Sequence, residues 1–490
     1  MTTQVQIKAL VARIESAYEQ CLALLQSLKT GVHTQFFSEE FFGFQPTLCT
    51  ALMELDSAYR EIERLKKTIA HRKTRLSASW FRTRMATLAH YQEVLLDSIK
   101  IGKFLGDSFA WFFYQKERGY LNEHLKQERQ RHLPPGIGGL GEKEFVKNTR
   151  GIWGKLLIYH GTTTILRIGD VSLIDLKTFK LAALGELKTY DVGPNQIKVR
   201  VEFIGPRESL PDVPEVVGTE TPRKNLDIAL SQPQRDRLRR QVKRIQETIS
   251  KEHNQKPGAD ISLATTTHAG QLNRLVSSTK RGQFSYVQAG DGLVLGGYRS
   301  LASSLFGRID TQRTMDWSRR LGDFGSHIKP IMRKGADDNS IYLSGLFYPD
   351  NHGPHFIHGS VPLFWWPVNS NSLRAIIFQE VLVFSVYNPA HLFAKLRSSG
   401  FEIVKAGPKE FSLRKRFGEA VFTLERFSYF MHLIQYNLLS EDYIIDLVKA
   451  AEEQSVRTLK ESGARSARID LVVSQQIHPM PKGSGGKVDV

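Results

Sequence analysis

Charged residues interrupt two apolar patterns in the middle of this 490-residue chain. In residues 181–189, Glu186 and Lys188 are two positions apart, so both side chains leave the same face of a β-strand. Asp170 lies in the apolar pattern that comes before. A charged group on an apolar face is costly unless it is paired or binds a metal ion. Asp170, Glu186 and Lys188 are therefore candidate catalytic residues.

These residue types suit the hydrolysis of a phosphodiester bond. Mg²⁺ prefers oxygen ligands and keeps waters that a substrate can replace, so the carboxylates of Asp170 and Glu186 could hold it. A lysine beside the ion can orient the attacking water and offset the charge that builds on the phosphate. The residues predict a site for Mg²⁺ or Mn²⁺ that cleaves nucleic acid. The alternative is an ion pair of Lys188 with either carboxylate that only stabilises the sheet.

The two strands must pair in one particular register for this site to form. Cross-strand neighbours share a face, so Asp170 must lie opposite an even-numbered residue such as Glu186 or Lys188. That register requires a turn of odd length or a β-bulge. Gly169 and Gly185, each next to a proposed site residue, are suitable bulge positions.

Helix and strand patterns alternate around these residues. Two prolines and four glycines in residues 132–141 predict a break, and a short helix is expected to start near Glu142. Phe145 and Val146 share one side of that helix with Glu142, which directs the carboxylate towards the sheet. A further helix is predicted at 226–251. The predicted strands lie at 155–161, 163–176, 181–190, 196–205 and 261–267.

This segment, residues 140–268, resembles the PD-(D/E)XK (restriction-endonuclease-like) nuclease superfamily. The matching residues are Gly169-Asp170 and Gly185-Glu186-Leu187-Lys188, with Glu142 in the preceding helix. The order of elements also agrees with the α-β-β-β-α-β core of that family, with one extra strand at 196–204. The resemblance implies an α/β domain with a mixed sheet and the activity of a DNA endonuclease.

The resemblance also implies roles for individual residues. Asp170 and Glu186 would hold the metal ion, with the Leu187 carbonyl as a further ligand. Lys188 would position or activate the water. Glu142 would assist through a water or a second ion.

The balance of charge agrees with a polyanionic partner. Lys and Arg number 67 against 50 Asp and Glu, so the net charge is +17. Such a surplus speeds the capture of polyanions. The helix at 226–251 offers cations for contacts to a nucleic-acid backbone, although solvation of its outer face explains them almost as well. Its candidate nucleic-acid-binding residues are Arg235, Arg239, Arg240, Lys243 and Arg244. A basic run between residues 59 and 84 is interpreted as a solvated helix face.

The chain is predicted to contain three folded domains and a tail. They are an all-helical domain at 1–132, the nuclease-like domain at 140–282, an α+β accessory unit at 283–475 and a disordered tail at 476–490. The helical domain is a candidate for self-association into a homo-oligomer. Its apolar positions recur at helical spacing from residue 3 to 30.

Other features concern the compartment of the protein. The two cysteines, Cys21 and Cys49, exclude a disulfide scaffold, and the N-terminus does not have the pattern of a signal peptide. The chain lacks an apolar run of about 18 residues. We therefore expect a soluble, cytoplasmic protein that does not enter a membrane.

Two further motifs have structural explanations. His352, His355 and His358 could ligate zinc, but Gly and Pro break their spacing, which favours a surface loop. The glycine-rich residues 290–297 lack the lysine of a phosphate-binding loop and predict a hairpin turn.

The leading hypothesis is a metal-dependent nuclease acting on DNA, with RNA as a second substrate, in bacterial antiviral defence or repair. The competing hypothesis is a non-catalytic nucleic-acid-binding or scaffold protein that uses a nuclease-like fold. A third is a regulator that binds a partner through the N-terminal helices.

Overall fold

The structure is a computed structural model that divides into two compact units. The first contains the described residues from 4 to 240, and the second contains nearly all described residues from 266 to 469. The described residues are 4–30, 39–115, 117–127, 137–193, 196–204, 240, 266–301, 304–305, 307, 325–326, 328–329, 343–347, 362–405, 407, 410–462 and 466–469.

Five helices begin the first unit. They are α1 (Gln4–Lys29), α2 (Glu39–His71), α3 (Ala78–Tyr114), α4 (Arg118–Leu125) and α5 (Ile137–Asn148). The helix expected at 3–30 is confirmed, because Ile7, Val11 and Ile14 form the buried stripe of α1. Phe44 of α2 stacks on Phe109 of α3 with their ring centroids 4.3 Å apart. Aromatic packing of this kind stabilises the α2–α3 pair.

A five-stranded antiparallel sheet follows the helices. Its strands pair in chain order: β1 (Gly151–Ile152), β2 (Lys155–Tyr159), β3 (Val171–Asp175), β4 (Lys180–Gly193) and β5 (Gln196–Ile204). The prediction of one strand at 163–176 is wrong in its first half, because only Val171–Asp175 is extended. Residues 160–170 form a loop that begins with a 3₁₀ turn at His160–Thr162 and is irregular after it. The described strands of this sheet are all antiparallel, whereas the sequence predicted a mixed sheet.

The N-terminal helices pack directly on this sheet. Strand β1 has two residues, so the outer side of β2 has no strand partner in the described chain beyond Leu156. Gln45 of α2 satisfies that side: its amide nitrogen donates to the Leu157 carbonyl at 2.7 Å, and its oxygen accepts from the Tyr159 amide at 2.7 Å. The helices and the sheet, which the sequence analysis assigned to separate domains, thus share one compact unit.

The second unit contains two four-stranded sheets and five helices among its described residues. The sheets have the strand orders β6-β7-β9-β8 and β10-β11-β12-β13. The strands are β6 (Phe284–Gln288), β7 (Leu293–Arg299), β8 (Leu343–Phe347), β9 (Val381–Tyr387), β10 (Glu402–Lys405), β11 (Phe411–Phe417), β12 (Ala420–Leu424) and β13 (Ser466–Ile469). The helices are α6 (Ala269–Ser278), α7 (Ser370–Ile377), α8 (Ala390–Ser398), α9 (Ser428–Asn437) and α10 (Glu441–Ser462). The hairpin turn expected at 290–297 is present at residues 289–292, between β6 and β7, whereas residues 293–297 belong to β7.

Several predicted elements lie outside the described residues. Among them are the helix at 226–251 except Arg240, the three histidines at 352–358, most of the strand at 261–267 and the tail at 476–490. Arg240 is helical and exposed. Arg235, Arg239, Lys243 and Arg244 belong to the part that is not described. In the described chain, every helix is too short or too polar to cross a membrane.

Candidate active site

The register between β3 and β4 shifts along the strands. They pair in antiparallel fashion, and the shift between Leu173 and Ile174 leaves Ala182 as an extra residue in β4. Such a bulge moves every later residue of β4 by one position relative to β3. The register required by the sequence analysis is met in this way. The bulge lies at Ala182, whereas the sequence indicated Gly169 or Gly185.

This register brings Asp170 to the Glu-Leu-Lys motif of β4. Val171 pairs with Gly185, so Asp170, the residue before β3, is level with Glu186. The amide of Asp170 donates to the carbonyl oxygen of Gly185 at 2.8 Å. Its carboxylate oxygen Oδ2 accepts a hydrogen bond from the amide of Leu187 at 2.7 Å. The carboxylate is therefore held at the middle residue of the motif.

The other residues of the motif complete a polar group. Lys188 Nζ lies 3.3 Å from Glu186 Oε1, and both side chains are just over one quarter exposed. The amide and the carbonyl of a strand residue point to the same side of the strand. The Leu187 amide points to Asp170, so the carbonyl oxygen of Leu187 faces that side as well. Two carboxylates, one carbonyl oxygen and one ammonium group thus share this end of the sheet.

Helix α5 adds Glu142 to the group. The helix begins at Ile137 and not near Glu142, so three of the glycines expected to break it lie within it. A Cβ atom on Gly141 would lie only 2.1 Å from Oγ1 of Thr189, which shows how closely α5 approaches β4. The Tyr159 hydroxyl donates a hydrogen bond to the Glu142 carboxylate.

The electrostatics of Asp170 reflect this arrangement. Its pKa is raised from 3.8 to about 6, mainly by burial and also by the charge of Glu186, while the Leu187 amide and Lys188 oppose the rise. An ion pair built only for stability would lower the pKa of its carboxylate. The Leu187 amide and Lys188 therefore do not offset the cost of burying the Asp170 carboxylate.

Glu142 shows the same imbalance. Its pKa is raised to about 7, mainly by burial and also by the charge of Asp170, while the hydrogen bond from Tyr159 opposes the rise. Lys103 of α3 and Lys188 lower it by smaller amounts. Asp170 therefore lies within electrostatic reach of both Glu142 and the Glu186–Lys188 pair. Near neutral pH the group tends to retain protons that a cation could replace.

The loop at 160–170 that carries Asp170 is anchored by charges of the N-terminal helices. Asp107 of α3 is fully buried and accepts hydrogen bonds from the amides of Thr164 at 2.6 Å and Ile165 at 3.0 Å. Lys103, also buried, donates to the carbonyls of Gly161 and Thr163. These bonds take up backbone groups that a strand partner would otherwise use, which explains the irregular loop.

Two histidines complete this support, and burial keeps both neutral. His124 Nδ1 of α4 accepts from the amides of Arg167 at 2.9 Å and Ile168 at 3.0 Å. His160 bonds Ser172 of β3 and lies 3.0 Å from the Gly169 carbonyl oxygen. Burial lowers the pKa of His160 to about 4 and that of His124 well below its usual range. The sequence analysis did not identify this support for Asp170.

The same face of the sheet continues as a line of cations. Cross-strand partners share a face, and Lys188 pairs with Arg200 while Tyr190 pairs with Lys198. Residues two apart on a strand also share a face. Arg200 and Lys198 therefore extend the positive charge of Lys188 from β4 onto β5.

The donor set suits a hard divalent cation, although it is small. The described residues contain no group of three or more His, Cys, Asp or Glu side chains arranged for a metal ion. The oxygens that fit one come from the carboxylates of Asp170 and Glu186 and the Leu187 carbonyl. Mg²⁺ is commonly held by one or two carboxylates together with waters and substrate oxygens.

A second concentration of charge, in the second unit, has a structural explanation. Lys395 of α8 lies 2.7 Å from Asp291, 3.0 Å from Asp442 and 3.9 Å from Glu441. These contacts join the β6–β7 turn to α8 and α10. The lysine is matched by carboxylates on several sides, so this cluster serves as an ionic clamp within the unit.

Comparisons of the chain with protein-family models, curated proteins and solved structures found no match. A function for this chain is therefore inferred from the geometry of Asp170, Glu186, Lys188 and Glu142.

Proposed function

We propose that this chain is a metal-dependent nuclease of the PD-(D/E)XK type that hydrolyses phosphodiester bonds, with DNA favoured over RNA. The observation that carries the proposal is the hydrogen bond from the Leu187 amide to Asp170. This bond holds a third charged side chain, that of Asp170, beside Glu186 and Lys188. A setting in bacterial antiviral defence or repair is part of the proposal by analogy with the superfamily.

Each residue of the site has a different role in the proposed hydrolysis. Asp170 and Glu186, with the Leu187 carbonyl, would hold Mg²⁺ or Mn²⁺, and an ion held there supplies positive charge to the phosphate and activates water. Lys188 orients the attacking water and offsets the negative charge of the transition state. Glu142, whose pKa is about 7, exchanges a proton with a nearby water at neutral pH.

The second candidate function is binding without catalysis. The ion pair of Lys188 with Glu186 favours it, because a paired lysine is less available to a water. The cations Arg200 and Lys198 would serve a binding protein equally well. In that case affinity for nucleic acid falls steeply with salt and does not change with metal.

A cleavage assay tests the proposal. The protein is incubated with plasmid, single-stranded DNA and RNA in Mg²⁺, in Mn²⁺ and in EDTA. We expect cleavage that EDTA stops and that Lys188→Ala or Asp170→Asn reduces at least 100-fold, about 3 kcal/mol of transition-state stabilisation. If both variants cut as well as the native chain, or if no substrate is cut in either metal, the proposal is wrong.

The sheet provides a matched control. Lys155 lies 3.0 Å from Asp175 in an ion pair, and the two side chains are as exposed as those of Lys188 and Glu186. Lys155→Ala removes an equivalent ion pair from the turn end of the β3–β4 pair. It should leave cleavage unchanged, which separates loss of the site from general weakening of the sheet.

A further inference from the structure

The long helices α2 and α3 form a hairpin whose end lies in solvent. The last buried residue of α2 is Ile69, and the first buried residue of α3 is Leu88. No residue between 70 and 87 is buried. We call residues 64–84 the hairpin tip. Ile69 is the one buried residue of this segment, so the other side chains of the tip are available to a partner.

The hairpin tip carries charge of one sign. It contains no Asp or Glu. Its cations are Arg64, Lys66, Lys67, Arg72, Lys73, Arg75, Arg82 and Arg84. Lys67 pairs with Glu63, just outside the tip, at 3.1 Å. Within the described residues, Arg72, Lys73, Arg75, Arg82 and Arg84 have no carboxylate partner. Cations on one short exposed segment repel one another, and a polyanion would relieve that repulsion.

An exposed aromatic ring lies among these cations. Trp80 is 47% exposed, although tryptophan is among the side chains that gain most from burial. Its position is fixed by the start of α3, where Ser77 caps the helix and accepts a hydrogen bond from the Trp80 amide at 3.3 Å. Lys73 Nζ lies 5.6 Å from the centre of the Phe81 ring, which brings the connecting turn onto the helix.

We propose that the hairpin tip binds a nucleic-acid strand, with phosphates on its cations and an unpaired base stacked on Trp80. Cations interleaved with an exposed aromatic ring are what single-strand binding requires. An anionic membrane is the less suitable partner, because insertion needs a broad apolar face and the tip exposes one large apolar ring. The inference rests on the proposed function only for the identity of the polyanion, and it concerns binding rather than cleavage.

Binding is measured in EDTA by the fluorescence anisotropy of a labelled oligothymidine strand, so that failure of cleavage does not affect the result. We expect Trp80→Ala to weaken binding about 5- to 100-fold. The triple variant Arg72→Gln, Lys73→Gln, Arg75→Gln should reduce the slope of log affinity against log salt by about 2, at about 0.7 per phosphate contact. Neither variant should change the melting temperature, because the residues are exposed.

A second triple variant is the control for net charge. Arg397, Lys405 and Arg416 are exposed cations of the second unit, and changing them to Gln removes the same charge. This variant should bind as tightly as the native chain. Equal weakening by both triple variants would overturn the proposal, as would native affinity in the tip variants. The proposal would also be overturned if the tip variants lost binding to phosphatidylserine vesicles but still bound oligothymidine with native affinity.

Discussion

Replacing Asp170 by Asn should stabilise the metal-free protein above pH 7. Burial raises the pKa of this carboxyl from 3.8 to about 6, so the folded protein holds its proton more tightly than the unfolded chain. Native stability therefore falls as the pH rises from about 4 to 6. A difference of about 2 between the folded and unfolded pKa values corresponds to roughly 3 kcal/mol of unfolding free energy. The native protein loses this stabilisation at pH 8, whereas the variant keeps it. The amide oxygen of Asn can still accept the hydrogen bond from Leu187.

The free energy of unfolding by urea, measured in EDTA at pH 8 and pH 4, tests this reasoning. The stability gain of Asp170→Asn should approach 3 kcal/mol at pH 8 and become small at pH 4. Added Mn²⁺ at pH 8 should then stabilise the native protein but not the variant.

Asp175, at the other end of β3, is the matched control. Partial burial raises its pKa, but hydrogen bonds from Lys155 and from the amides of Lys177 and Thr178 bring it below the usual value. Asp175→Asn should therefore destabilise the protein at pH 8, with the opposite sign. A gain for Asp170→Asn that is equal at both pH values, or absent at pH 8, would refute the electrostatic account of the site.

Three further predictions concern the support and the chemistry of the site. Gly141→Ala should push α5 away from β4, which lowers the free energy of unfolding in urea by about 1–3 kcal/mol and reduces cleavage. The double variant Gly141→Ala/Thr189→Ala should recover part of both losses. Native activity in the single variant would contradict this. Asp107→Ala should lower the free energy of unfolding by about 3 kcal/mol or more, because it leaves the buried amides of Thr164 and Ile165 unpaired. A loss below about 1 kcal/mol would argue against the anchoring of the loop by Asp107. Calorimetric Mn²⁺ affinity should rise between pH 6 and 8 with release of protons, since the carboxyl pKa values of Asp170 and of its neighbour Glu142 are about 6 and 7; affinity independent of pH would exclude Asp170 as a ligand.

The charged residues in apolar strands could be identified from the sequence because their signal is local. Alternation places Glu186 and Lys188 on one face whatever the rest of the chain does. The need for a bulge was also visible, but its position at Ala182 was not. That position depends on how the turn and the partner strand pack, and both are set by contacts between distant residues.

The support of the site could not be predicted from local patterns alone. The loop at 160–170 has the composition of a strand, and it is irregular because Lys103 and Asp107, far away in the chain, bind its backbone. One signal was present: these two charges lie four residues apart inside an otherwise apolar helical stretch. The glycines before Glu142 were interpreted as helix breakers, whereas at Gly141 the missing side chain permits close packing on Thr189.

The hydrogen bonds of Gln45 limit how the chain can be divided into fragments that fold alone. A fragment that starts at residue 140 would leave the Leu157 carbonyl and the Tyr159 amide without Gln45, next to a two-residue first strand. Such an open row of donors and acceptors is a template for joining a second copy. This fragment is therefore expected to self-associate or aggregate when it is expressed alone. In evolution, the helices and the sheet would have to be inherited together.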